Sequence, residues 1–78
     1  MRRAAKPQPA LGAAIRELRA KRDLTQEALA HSAEVTVSHL STIERGHANP
    51  SWAAVQAIAG ALGVSMVEIS RLTERHES

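Results

Sequence analysis

Hydroxyl residues punctuate this chain. Thr25, Thr36, Ser51 and Ser65 each stand directly ahead of a stretch whose apolar residues recur at helical spacing. A Ser or Thr there accepts a hydrogen bond from a first-turn amide, so each marks where a helix begins. Ser65-Met66-Val67-Glu68 also has the form of a capping box, its carboxylate reaching back to the amide of the cap. Gly46 and Gly63 are placed to end helices in left-handed backbone. This punctuation cuts the sequence into five short helices joined by two to five residues, which fits a compact orthogonal bundle.

The apolar faces follow the same division. Leu11, Ile15 and Leu18 form one stripe on a first helix that should run from Ala10 to about Arg22, where Asp23-Leu24 breaks the pattern. The second helix, about eight residues long, presents Ala28, Leu29 and Ala33. The third presents Leu40 and Ile43, the fourth Val55, Ile58 and Leu62, and the fifth Met66, Ile69 and Leu72. Composition agrees. Alanine is the strongest helix former and dominates the 44% hydrophobic fraction, while Trp52 is the only aromatic residue. Strands are rich in aromatic and β-branched residues, so an all-α fold follows.

With 78 residues there is room for one small domain, which buries about 60% of its extended surface and leaves little bulk to enclose a catalytic pocket. There is no cysteine, and His31, His39, His47 and His76 lack paired metal-ligand spacing. No nucleophile stands beside a base, and Ser38, Thr42 and Glu44 do not make a triad. The sequence-based expectation is a soluble cytoplasmic protein without enzymatic activity, metal, cofactor or membrane partner.

Charge is divided unevenly. Residues 1–22 carry seven cations (Arg2, Arg3, Lys6, Arg16, Arg19, Lys21 and Arg22) against Glu17 alone, whereas residues 23–78 carry three cations against seven anions. A basic front end points to a polyanion, or to nothing more than a solvated terminus. Residues 1–9, with two prolines and no periodicity, read as a flexible basic arm, residues 10–74 as the domain and residues 75–78 as a short tail.

The second and third helices, with a turn of three or four residues between them, carry the functional signal. A helix of about nine residues braced from behind fits the major groove of B-DNA, about 12 Å wide. With Leu40 and Ile43 inward, Val37, Ser38, Ser41, Thr42 and Arg45 lie outside, a row of short side chains suited to close approach to base edges.

Between Leu11 and Leu72 the sequence resembles the phage-repressor/Cro-like (XRE-type) helix-turn-helix domain. The resemblance rests on Ile15-Arg16-Glu17-Leu18-Arg19, Leu24-Thr25-Gln26-Glu27-Ala28-Leu29-Ala30 and Leu40-Ser41-Thr42-Ile43-Glu44-Arg45-Gly46. Asn49-Pro50-Ser51 and Ala61-Leu62-Gly63-Val64-Ser65 follow in order. It implies a lambda-repressor-like five-helix fold that binds double-stranded DNA as a transcriptional regulator. It also implies a phosphate contact for Gln26, base reading by Val37, Ser38 and Thr42 with Ser41 beside them, and a backbone contact for His39. Thr36 belongs to the same surface. Arg19 and Glu44 match a largely buried ion pair that joins the first helix to the third.

Two departures bear on detail. Many relatives carry Arg, Lys or Gln at the reading positions, so specificity here is hydroxyl-mediated, methyl-mediated (Val37 against thymine) or read through DNA shape. Glu34 occupies the turn where the family often has glycine, and a non-glycine left-handed residue costs about 1 kcal/mol. Since Arg45 is the only cation of the recognition helix, Arg2, Arg3 and Lys6 of the arm are expected to supply affinity, with His47 and Asn49 adding backbone contacts. Apolar residues at the end of the chain (Val64, Met66, Val67, Ile69 and Leu72, with Trp52) suggest a homodimer seam that sets two reading helices on a palindromic operator. The alternative from another class is an antitoxin-like or co-activator-like adaptor whose main ligand is another protein, such as a toxin.

Overall fold

In the computed structural model, which describes residues 7–77, five helices follow in order: α1 (Pro9–Lys21), α2 (Gln26–Ala33), α3 (Val37–Glu44), α4 (Trp52–Leu62) and α5 (Met66–Glu77). Each begin is local chemistry. The hydroxyls of Thr25, Thr36 and Ser51 accept from the amides of Ala28, His39 and Ala54 at 3.0, 3.0 and 3.1 Å. The Ser65–Glu68 box closes in both directions at 3.0 and 3.1 Å. Such a cap contributes about 1 kcal/mol. Pro9 opens α1, a place where its missing N–H removes no helical bond.

The ends are equally regular. After α1, α2, α3 and α4 the chain turns through a left-handed residue: Asp23 (φ 53), Glu34 (φ 59), Gly46 (φ 79) and Gly63 (φ 74). In each case the next residue's amide bonds back to a carbonyl of the last turn, Leu24 to Arg19, Val35 to Ala30, His47 to Thr42 and Val64 to Ala59. This is the Schellman arrangement, which favours an apolar residue just past the left-handed one, folded onto its own helix. Leu24, Val35 and Val64 fill that role and pack on the core.

The interior is built from Ile15, Leu29, Leu40, Ile43, Ile58 and Ile69, all fully buried. α1 packs against α5 and α3, and α2 against α4 and α3. Gly12 permits the close approach of α1 to the end of α3, because a Cβ there would stand 2.2 Å from the Ile43 carbonyl oxygen.

Several expectations need correction. Ala28 faces solvent; Ala30, at 1% exposure, takes its place in the α2 stripe, since Leu29, Ala30 and Ala33 point to the core. Residues 75–77 are not a tail but the last turn of α5, held to α1 where His76 meets Glu17 at 2.8 Å. Val64, Ile69 and Leu72 are buried within the protomer's own core and are not available to a partner. Val64 is drawn in by the α4 end, and Ile69 and Leu72 by the packing of α5 on α1. Arg2, Arg3 and Lys6 lie outside the described residues.

Candidate nucleic-acid interface

The candidate surface is made by α2, the three-residue turn from Glu34 to Thr36, and α3. Each of these helices has eight residues, or about 12 Å of axis. Their relative placement is held by one buried constellation. Glu44, 3% exposed at the end of α3, receives the Arg19 guanidinium of α1 in a two-pronged contact, Nε to Oε2 at 2.7 Å and Nη2 to Oε1 at 2.9 Å. The third prong, Nη1, donates to the Leu24 carbonyl at 2.8 Å, and Gln26 Nε2 at the start of α2 donates to Glu44 Oε1 at 3.1 Å. The hydrogen-bonded carboxylate pushes the Arg19 pKa up from its ordinary value, against the opposing effect of burial. One carboxylate thus fastens α1, the start of α2 and the end of α3.

What this scaffold presents outward is the row Val37, Ser38, Ser41, Thr42 and Arg45. Val37, Ser38 and Arg45 are exposed, and Ser41 and Thr42 half-buried, while Leu40 and Ile43 close the opposite face. His39, His47 and Asn49 are also exposed. Thr36 is tied to its capping role. Because it satisfies only the His39 amide, the amides of Val37 and Ser38 have no helical acceptor and form the positive end of the α3 dipole. Arg45 Nη1 donates to Ser41 Oγ at 2.6 Å, which steadies the one cation of the row.

Sequence reasoning missed the role of Gln26. Its amide is joined to Glu44, so one of its two Nε2 hydrogens is committed within the protein and a phosphate can engage only the other. A Gln three residues beyond a left-handed Asp23 and beside a buried carboxylate carries no local sign of this, because Glu44 is 18 residues away.

Trp52 (66% exposed) and Val67 (60%) stand outside the core, and half-buried Met66 packs against it. Trp52 and Met66 line a groove of about 380 Å³ together with Leu11, Val55 and Thr73. Asn49 borders the same groove. Among the described residues, no three His, Cys, Asp or Glu side chains are placed to hold a metal ion, and no single helix is long and apolar enough to cross a membrane.

Comparison with known proteins decides the family. A family profile described as "Helix-turn-helix domain" matches residues 10–72. This chain belongs to that helix-turn-helix family. It is 42% identical over 59 residues to the immunity repressor protein of Bacillus phage phi105, covering 76% of this chain and 41% of that protein. The HTH-type transcriptional regulator DdrOP3 of Deinococcus deserti is 36% identical over 55 residues, 70% of this chain and 43% of that protein. The chain therefore spans only about two fifths of the length of these two curated relatives. Among solved structures, the clp gene regulator ClgR from C. glutamicum superposes with a TM-score of 0.88 at 31% identity, covering 97% of this chain and all of that one. The restriction-modification controller C.AhdI from Aeromonas hydrophila superposes at 0.78 and 32%, covering 80% of this chain and 94% of that one. The controller C.Esp1396I has been solved as a tetramer on its natural 35 base-pair operator; it matches at 0.82 and 25% identity, over 88% of this chain and 91% of that one.

Proposed function

We propose that this helix-turn-helix chain is a sequence-specific double-stranded-DNA-binding transcriptional regulator that lays α3 in the major groove. The observation that carries this reading is the outward row from Val37 to Arg45. From Val37 to Thr42 its side chains are short and reach solvent, on an eight-residue helix whose end the Arg19–Glu44 pair holds from behind. A helix kept only for packing has no need of a face free of bulky side chains. Val37, Ser38 and Thr42 would face base edges. Gln26, through its second amide hydrogen, His39, His47 and Asn49 would meet the sugar-phosphate backbone, as would the arm residues Arg2, Arg3 and Lys6. Working on a genome, the protein would act in the cytoplasm.

The same reading includes a homodimer on a palindromic operator, since one such helix covers only a half-site. The seam is narrower than the sequence suggested: Trp52, Met66 and Val67 remain exposed or half-exposed to supply it. Sedimentation of the full chain at tens of micromolar tests the dimer, and a monomer that binds palindromes without cooperativity would refute it. For the duplex itself, fluorescence anisotropy against genomic fragments at two salt concentrations is the direct test. Ser38→Glu, at an exposed position, and Thr42→Glu, at a half-buried one, should abolish capture with the fold intact by circular dichroism. Undiminished capture by both variants would overturn the reading.

A further inference from the structure

Three hydroxyls of the reading face, those of Thr36, Ser41 and Thr42, each already make one hydrogen bond within the protein, and this narrows what they can recognise. Thr42 Oγ1 donates its single hydrogen to the Ser38 carbonyl at 2.9 Å, so toward DNA its hydroxyl can only accept. With the oxygen turned back onto the helix, the methyl occupies the other branch at Cβ. Ser41 Oγ accepts from Arg45 Nη1, and Thr36 Oγ1 from the His39 amide, so each has given up an acceptor site and keeps its hydrogen to donate. No Arg, Lys, Asn or Gln occurs from Thr36 to Glu44, so the two-pronged contacts that read guanine or adenine are absent from this stretch. Val37, 39% exposed at the first turn, offers two methyl groups and nothing polar.

From this we infer that α3 reads the C5-methyl group of pyrimidines in the major groove, with Val37 and the Thr42 methyl as the two apolar contacts; the inference rests on the duplex-binding reading above. The methyl is the one apolar feature that a base pair displays in that groove. Val37 and Thr42 are five residues apart, about 7.5 Å along the helix axis, so they meet different base pairs. The ligand chemistry is shared by thymine and 5-methylcytosine.

The full chain is used to select its preferred duplex from a random-sequence library, and that duplex is resynthesised with deoxyuridine at each thymine in turn, removing only the methyl. Loss of one buried methyl corresponds to about fourfold weaker binding. The expected result is such a loss at one or two positions per half-site, cancelled by Val37→Ala at one and by Thr42→Ser at the other. Thr42→Ser keeps the hydroxyl and its bond to the Ser38 carbonyl, so the fold is not at risk. Placing cytosine and then 5-methylcytosine at the sensitive position separates the sources. Recovery on methylation shows that the methyl is read in either base, and no recovery restricts the reading to thymine; both support the inference. Deoxyuridine tolerated at every position, or a penalty that persists in both variants, overturns it while duplex binding stands. If no duplex is selected at all, the DNA-binding reading falls as well.

Discussion

Replacing Gly12 with alanine adds a single methyl group to the middle of α1, where intrinsic preference favours it by about 1 kcal/mol. The structure opposes that gain. The new Cβ would sit 2.2 Å from the Ile43 carbonyl oxygen, with the Glu44 carbonyl at 3.0 Å, and both obstacles are backbone. To bring 2.2 Å up to even 3.0 Å, α1 and the end of α3 must part by roughly 0.8 Å. That motion pulls directly on the Arg19–Glu44 contacts at 2.7 and 2.9 Å. Overpacking of this kind costs about 1–3 kcal/mol, and loosening a buried ion pair adds to it. After the helix-propensity gain is set against them, a net loss of about 2 kcal/mol is expected. Gly60 is the internal control: it lies in α4, is exposed, and a Cβ there meets nothing within 4 Å. The same substitution at Gly60 should stabilise by about 0.5–1 kcal/mol. At about 4–8 °C per kcal/mol for a domain of this size, Gly12→Ala should melt about 8–16 °C lower and Gly60→Ala about 2–8 °C higher than the parent. Calorimetry at one fixed protein concentration reads both, which matters if the chain dimerises. A Gly12→Ala protein that melts at or above the parent would refute the interlock of α1 with α3.

Four further outcomes are expected. Arg19→Met strands the buried Glu44 carboxylate with Gln26 alone and should lower stability by about 3–5 kcal/mol in urea titration, whereas Arg19→Met with Glu44→Leu should recover most of it. The Glu17 pKa is lowered from 4.5, first by hydrogen bonding to Lys21 and then to His76, so its contribution is complete above pH 4.5 and fades as the pH falls through the lowered value. Parent and Glu17→Gln unfolding midpoints should therefore differ at pH 6 and converge in strong acid, by a small, salt-screened amount because the group is exposed. Glu34→Gly relieves left-handed strain and removes an anion from the turn; melting should rise by up to about 1 kcal/mol equivalent, with duplex affinity equal or higher. Deleting residues 1–7 should weaken binding to all duplexes alike and flatten the salt dependence by up to about three ion equivalents, as measured by anisotropy across a salt series.

How far the fold was legible depends on the range of the interaction. All four hydroxyl caps were readable because the bond spans three residues and owes nothing to the rest of the chain. Of the four left-handed helix ends, Gly46 and Gly63 announce themselves by residue type. Asp23 and Glu34 do so only as a break in pattern or against a family expectation, since neither residue type requires positive φ. The outward row of α3 was likewise readable from periodicity, and the structure leaves Val37, Ser38 and Arg45 exposed with Ser41 and Thr42 half-buried.

Allegiance was not readable. Val64, Ile69 and Leu72 carry a periodicity that would serve equally for a protomer's own core or for a partner, and burial assigns them to the core. The local pattern tells how an element hides its apolar stripe but not against what. Gln26 joins Glu44 across 18 residues, and Gly12 meets the Ile43 carbonyl from another helix. Local chemistry wrote the helices, their caps and the face turned to solvent into the chain. Which groups face one another across the interior was decided only on packing, because such contacts join residues whose neighbours in sequence hold no record of them.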